Sequence, residues 1–304
     1  MSILIKSSFL ISFIDYLKFE KRYSPHTITS YNNDISQFSF FIAKTYTGIT
    51  IDKIGHNHIR SWMVELVNNS ISSKSINRKI SSLRSFYNYL MKQAIVSKNP
   101  TLKIVTPKIA KRLPEFIQER NIAKIFDNII DGDFEDFRNR LIIEFFYSTG
   151  IRRIELINIK DGDIDSALCT VKVLGKGNKE RIIPLSKNLL LRIKRYRKLR
   201  AELFDDSHYD ENFFVTSKGS KMYPKLVYNI VRRYLSNVTT SSKRSPHILR
   251  HTFATHMMNG GADLNAVKEL LGHANLAATQ IYTHNSIEKL KEVYKKAHPK
   301  SENK

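Results

Sequence analysis

Apolar residues recur three and four positions apart along most of this chain, and one later stretch alternates between apolar and polar instead. In the opening segment "MSILIKSSFLISFIDYLKFEKRY", Phe9, Phe13, Tyr16 and Leu17 keep helical spacing, while Asp15, Lys18, Glu20, Lys21 and Arg22 interrupt the apolar run. That pattern predicts an amphipathic helix rather than a signal peptide. "SPHTITSYNNDISQFSFFI" predicts a second helix, with Ser24 as N-cap and Pro25 as first helical residue. "HIRSWMVELVNN" and "SKSINRKISSLRSFYNYLMKQ" complete a small helical unit. In the last of these, Ile76, Ile80, Leu83, Phe86, Tyr87 and Leu90 make an apolar stripe, and Lys74, Arg78, Lys79 and Arg84 are read onto the opposite face. "NPTLKIVTPKIAKRLPEF" carries three prolines, three lysines and an arginine with little periodicity, and reads as an interdomain linker.

A second unit begins near residue 115. "FRNRLIIEFFYSTG" predicts a buried helix closed by Gly150, and "IRRIELINI" begins another at once. "TVKVLGKGNKERIIPL" is the alternating stretch, two short strands around a Gly-Lys-Gly-Asn turn. Helices follow to the end, with breaks at Gly260, Gly261 and Gly272. The fold class expected is mainly α with a small β-sheet. The boundaries expected are a helical domain over 1–104, a linker over 105–114 and a second domain over 115–304. No apolar run reaches the length that spans a membrane.

Charge changes the picture. Fifty Lys and Arg against 28 Asp and Glu give 304 residues a formal charge of +22, while 41% hydrophobic residues are enough for ordinary cores. Such an excess points to a polyanion, because cations that neutralise phosphates release counterions and add sequence-independent affinity. From Lys172 to Arg200 there are eleven Lys or Arg and one acid, Glu180. Cys169 is the only cysteine, so neither an intrachain disulfide nor a multi-cysteine zinc site can form, and a reducing cytoplasm fits.

The candidate chemistry starts at "SPHILRHTFATH". Ser245 and Pro246 open a helix whose first turn holds His247, where free N–H groups and the helix dipole favour an anion. Arg250 shares that face, so His247 and Arg250 can grip a phosphate by charge-assisted bonds. His247 and His251 are also spaced as metal ligands would be. Yet the Glu of a His-Glu-x-x-His helix is missing, no carboxylate cluster accompanies them, and Arg250 would repel a cation. "STGIRRIEL" places Arg152 just beyond Gly150, giving a second guanidinium for the non-bridging oxygens of a phosphodiester. Lys176, on the turn of "LGKGNKER", is placed to protonate a leaving 5′ oxygen, and Tyr282 to supply an attacking one once cations favour its phenolate. Each residue also has an ordinary reading. Arg152 can pair with Glu155 at a helix end, Lys176 can be a turn lysine, His273 can cap the helix ending at Gly272, and Tyr282 can be a core residue.

The order "TGIRRIEL", "LGKGNKERIIPL", "PHILRHTFATHM" and "LGHANLAATQIYTH" resembles that of the tyrosine recombinase, or phage integrase, family, and most closely its bacterial Xer subgroup. "SPHTITSY" and "SINRKISSLRSFYNYL" look like that subgroup's core-binding domain, so the resemblance spans nearly the whole chain. It implies a two-domain, C-shaped clamp around duplex DNA. By position it implies that Arg152 and Arg250 bind the scissile phosphate, with His247 and His273 beside it. Lys176 becomes the general acid, with Lys179 as the close alternative, and Tyr282 the nucleophile that forms a 3′-phosphotyrosyl link. Glu155 falls where an acid orients Arg152 or His247. Lys74, Arg78, Lys79, Arg84, Arg153, Lys179 and Arg181 are the expected DNA contacts.

The resemblance further implies strand exchange without cofactor, ATP or metal, through a Holliday junction in a tetramer on inverted-repeat DNA. A helix over about 286–298, with Ile287, Leu290, Tyr294 and Ala297 on one face, is expected to dock on a neighbouring protomer. Chromosome dimer resolution, under a septal DNA translocase, is the first expectation for its role. Movement of a mobile element, type IB topoisomerase activity and non-catalytic DNA binding stand as the other readings.

Overall fold

A computed structural model of the protein describes residues 7–109, 115–127, 132–175, 178–204, 211–236, 244–272 and 284–301, and the chain divides into two units, Met1–Arg112 and Leu113–Lys304.

In the first unit, α1 (Ser7–Asp15) continues into a π-helical turn, Tyr16–Glu20, and is followed by α2 (Pro25–Thr45), α3 (His56–Asn68) and α4 (Ser73–Lys92). Local chemistry starts two of these helices. The Ser24 and Ser72 hydroxyls accept hydrogen bonds from the backbone N–H groups of Thr27 and Ser75, which a helix start leaves unpaired. The core gathers Phe13, Phe38, Trp62, Ile80, Leu83 and Phe86, so each helix buries one stripe.

Lys79 does not lie on the solvent face of α4. It is buried, and its Nζ donates to Asp34 Oδ1 at 3.0 Å and to Gln37 Oε1. Its position three residues after Ile76 and four before Leu83 puts it on the apolar stripe. There an ammonium is stable only when paired, and Asp34, itself buried, supplies the charge. Asp34 also accepts from Ser82 Oγ at 2.8 Å and pairs with the half-exposed Arg78. Lys74 and Arg84 stay exposed. The segment read as linker begins as packed structure. Pro100–Lys103 is a 3₁₀ turn, buried Asn99 donates to Asn88 Oδ1 at 2.6 Å, and Thr101 is fully buried.

The second unit contains α5 (Glu119–Asp127), α6 (Phe134–Thr149), α7 (Arg153–Asn158), a three-stranded sheet, α8 (Lys187–Leu203), α9 (Pro224–Ser236), α10 (Pro246–Asn259), α11 (Leu264–Leu271) and α12 (His284–Ala297). The sheet is an antiparallel meander of β1 (Ile164–Asp165), β2 (Thr170–Leu174) and β3 (Glu180–Pro184), in that order. Two strands match the alternating stretch; β1, only two residues long, carries no readable period. α6 is buried all round and lies in the middle of the core. Its end is closed by Gly150 at φ +59°, where an added Cβ would sit 2.5 Å from Phe253 Cδ1 and 2.8 Å from Leu271 Cδ2. Both the left-handed backbone and the close approach of α10 and α11 therefore demand glycine.

In the single chain α12 packs on its own unit: Leu290, Tyr294 and Ala297 are buried in this unit's core, and Gly260, the C-cap of α10, faces the Ala297 backbone. A Cβ at Gly260 would stand 2.2 Å from the Ala297 carbonyl oxygen, so the absence of a side chain makes the seat. Beyond the helix, buried His298 accepts from the Lys300 backbone N–H at Nδ1 (3.1 Å), which leaves Nε2 to donate to the Tyr147 carbonyl at 3.2 Å. Burial pushes this imidazole down to about 4, so it is neutral at physiological pH. Among the described residues no helix is long and apolar enough to cross a membrane.

Candidate active site

Helix ends build this site. A helix leaves its last carbonyls without intrahelical partners and carries partial negative charge there, so cations are held well at C-termini. At the end of α11, three consecutive carbonyls each accept from a different arginine. Leu270 O receives Arg181 Nε at 2.8 Å, Leu271 O receives Arg250 Nη2 at 2.6 Å, and Gly272 O receives Arg152 Nη2 at 3.2 Å. Arg250 also donates Nη1 to the Gly150 carbonyl at 2.6 Å, so one side chain ties the ends of α6 and α11 together. Arg152 is the N-cap of α7, directly after the turn that Gly150 makes. Arg152 and Arg250, far apart in sequence, thus converge on adjacent carbonyls, those of Gly272 and Leu271.

Glu155 organises the cationic side of this cluster. Its carboxylate accepts from the Arg152 backbone N–H at 2.8 Å and from Arg152 Nη1 at 2.7 Å. It also accepts a two-pronged fork from Arg181, Nη1 at 3.0 Å and Nη2 at 2.8 Å. Burial by itself would raise the carboxyl's pKa, but the hydrogen bonds and charge of Arg181, then the bonds from Arg152, hold it down at about 2. Burial first, then the charges of Arg152 and Arg181, push the Arg250 guanidinium down to about 9, which leaves it charged at neutral pH. His247, in the first turn of α10, is exposed. Its pKa is lowered by partial desolvation and by Arg153, Arg250, His251 and Arg152, so the ring is neutral at neutral pH.

The depressed Glu155 carboxyl predicts a pH window. A carboxylate whose folded pKa lies below its ordinary 4.5 stabilises the fold above that pH and loses the contribution as pH falls through about 2. A Glu155→Gln chain is therefore expected to lack about 3 kcal/mol of pH-dependent stability. In paired thermal melts, the gap between the two chains should narrow as the pH is lowered across that window.

Arg181 corrects a reading. It was expected at the DNA surface, yet it is 3% exposed. β3 alternates, so Arg181 shares the inward face with Ile183, opposite Val173 and Val171 on β2. The period of two in "ERIIP" was the signal that could have found it. Arg153 is part-covered and reaches the Pro224 carbonyl at 3.3 Å, while Lys179 is exposed beside the hairpin turn. Lys176, His273 and Tyr282 lie outside the described residues. His256 is buried and shares a 3.0 Å hydrogen bond with the Tyr147 hydroxyl, a packing role in the core. Among the described residues no group of three or more His, Cys, Asp or Glu is placed to hold a metal ion.

What the described part offers chemically is two charged guanidiniums, Arg152 and Arg250, fixed by main-chain carbonyls and a buried carboxylate, with a neutral imidazole alongside. Fixed donors of this kind stabilise charge that develops on a phosphate without reorganising during the reaction.

Comparison with known proteins agrees with that chemistry. Residues 115–289 match the phage integrase family, and residues 10–94 match the phage integrase N-terminal SAM-like domain. The chain is 36% identical over 312 residues to the tyrosine recombinase XerC of Chlorobaculum parvum, covering 94% of this chain and 93% of that protein. It is 38% identical over 290 residues to the XerC of Staphylococcus saprophyticus, covering 95% and 97%. Among solved structures, the XerH site-specific recombinase bound to palindromic difH substrate shares the fold, with a TM-score of 0.70 at 23% identity over 96% of this chain and 90% of that one. This chain belongs to the phage integrase family and is a tyrosine recombinase of the Xer type.

Proposed function

We propose that this protein cuts and rejoins duplex DNA at a specific site to resolve chromosome dimers, with Tyr282 as nucleophile. The Tyr282 phenol gives up its proton to solvent and its oxygen attacks the scissile phosphorus, a new O–P bond forms to the 3′ phosphate, and the bond to the 5′ oxygen breaks. Lys176 gives that oxygen its proton, leaving a free 5′-hydroxyl. The 5′-hydroxyl then attacks a phosphotyrosyl link on the partner duplex and returns Tyr282 to its starting form. The ester conserves the bond energy, so the cycle balances without an energy source. Arg152 and Arg250 hold the non-bridging oxygens as charge accumulates, and His247 and His273 donate beside them.

The observation that carries this reading is the pair of guanidiniums held at the end of α11 by carbonyl oxygens. A surface that merely binds DNA works with mobile lysines and arginines, whereas these two are locked before any ligand arrives. Relatives named XerC at 36% and 38% identity support chromosomal resolution ahead of mobile-element movement. Both units would contact DNA, in the cytoplasm and at the nucleoid. Two inverted half-sites would bring two protomers to each duplex and four to a synapse, with a septal DNA translocase supplying the signal. In that assembly α12 would have to leave the seat it holds in the single chain before it could reach a neighbour.

Covalent capture on fragmented genomic DNA of the source organism tests the proposal. Protein-linked fragments, recovered after denaturation and sequenced, are expected to collapse onto one chromosomal locus with inverted-repeat symmetry. Enrichment at the ends of a mobile element would move the assignment to an integrase. Dispersed capture together with relaxation of any supercoiled plasmid would make the protein a topoisomerase.

A further inference from the structure

Arg181 has no place in the phosphate chemistry, yet it is bonded to Glu155, which holds Arg152, and to the end of α11, whose next two carbonyls hold Arg250 and Arg152. It reaches Glu155 with both Nη atoms and Leu270 O with Nε, so all its donor nitrogens are directed into protein. Glu155 in turn fixes Arg152 through both the backbone N–H and the guanidinium. Leu270 is in the last turn of α11, two residues ahead of Gly272, where the chain leaves toward His273 and Tyr282. The side chain also lies against the Gly272 backbone, since a Cβ there would stand 3.0 Å from Arg181 Cδ and 3.2 Å from Nη1.

We propose that Arg181 is a positioning residue for strand cleavage, which sets the Arg152 guanidinium through Glu155 and the end of α11 through Leu270 O without touching DNA. The inference rests on the recombinase reading above. Glu155 receives four N–H donors, two from each arginine. Without Arg181, the carboxylate retains only the Arg152 side of its shell and is free to swing toward it, taking the guanidinium away from the phosphate. Lysine cannot replace the fork, because an ammonium is a point charge and does not match the two carboxylate oxygens side by side. Displacing a reacting or stabilising group by about 1 Å is enough to cost on the order of 100-fold in rate.

The test uses the full chain and the duplex fragment recovered by covalent capture, nicked so that the cleaved strand diffuses away and the Tyr282 adduct accumulates. Adduct rate, DNA affinity over a range of salt, and melting temperature are measured for Arg181→Lys, Arg181→Gln, Glu155→Gln and the Arg181→Gln/Glu155→Gln double variant. Both Arg181 substitutions are expected to slow the adduct by roughly 10 to 100-fold at a temperature where each is folded, with affinity and its salt slope unchanged. The double variant is expected to be no slower than the slower single, because both changes interrupt one chain of contacts. A salt slope reduced by about one would mean that Arg181 neutralises a phosphate, and would overturn the proposal. So would an unchanged adduct rate in folded Arg181→Lys, or single losses that multiply in the double variant. If Arg181→Gln fails to fold, Arg181→Lys decides. A wild-type chain that forms no adduct counts against the recombinase reading and not against this one.

Discussion

A Tyr282→Phe chain is expected to bind its recombination site as tightly as the wild type and to form no covalent adduct with it. The change removes one oxygen and keeps the ring, so packing and charge are preserved while the only proposed attacking atom is lost. Gel shift should give equal affinities and equal salt dependence, since phosphate contacts supply most of the binding and none of them is touched. Denaturing gels of the same mixtures should show the slow protein–DNA species with wild type only. A persistent adduct in the phenylalanine chain would place the nucleophile elsewhere, and equal loss of binding would mean that Tyr282 is structural. The phenol's ordinary pKa near 10 makes the cationic surroundings part of this expectation. Arg152 and Arg250 are the cations proposed to supply those surroundings, and the latter's charge survives its burial.

Arg250→Gln is expected to have the second-largest effect, and to act twice. The first loss is chemical, because removing a fixed charged donor to a developing anion costs about 10²- to 10³-fold in cleavage rate. The second is structural. Arg250 is buried and ties the Gly150 and Leu271 carbonyls with 2.6 Å bonds, so a neutral, shorter side chain leaves at least one helix end unsatisfied. Losing hydrogen bonds from a charged group at such a place costs about 2–4 kcal/mol, visible as a lower melting temperature. Arg250→Lys separates the two. It restores a charge and one carbonyl contact, so it should recover part of the stability while cleavage stays slow, because an ammonium cannot serve two helix ends and a phosphate together. A lysine chain that cleaves at the wild-type rate would show that charge alone is needed there.

These two residues and Arg181 tie stability to catalysis. The carbonyls that hold Arg152, Arg181 and Arg250 are the last ones of α11, so the helix is capped by the two arginines proposed to hold the phosphate and by the one proposed to position them. Substitutions of Arg181 and Arg250 are expected to shift melting and cleavage together, so a rate has to be paired with a melting temperature for each. Glu155, at the centre, accepts from two of the three arginines and keeps two positive charges close together that would otherwise repel.

Much of this protein was readable from residues that lie within a turn or two of each other. Ser24 before Pro25, Gly150 after "FFYST", and Ser245 and Pro246 ahead of His247 are local signals, and the helices begin and end where they stand. The hairpin around "GKGN" follows from alternation over few residues. The order of the motifs carries the family resemblance without any tertiary contact. What proximity along the chain could not settle was which cations face inward. Lys79 and Arg181 are both expected at DNA from their segments, yet Lys79 meets Asp34, 45 residues away, and Arg181 meets Glu155 at a separation of 26 and Leu270 at 89. A lysine or arginine is buried only where tertiary folding delivers a carboxylate or a bare carbonyl to it, so its environment belongs to the partner as much as to its own segment. The seat of α12 is the same kind of fact. Its apolar stripe was plain in Leu290, Tyr294 and Ala297, but a stripe states only that something covers it. The surface that does so in this chain exists because Gly260 lets the Ala297 backbone come close.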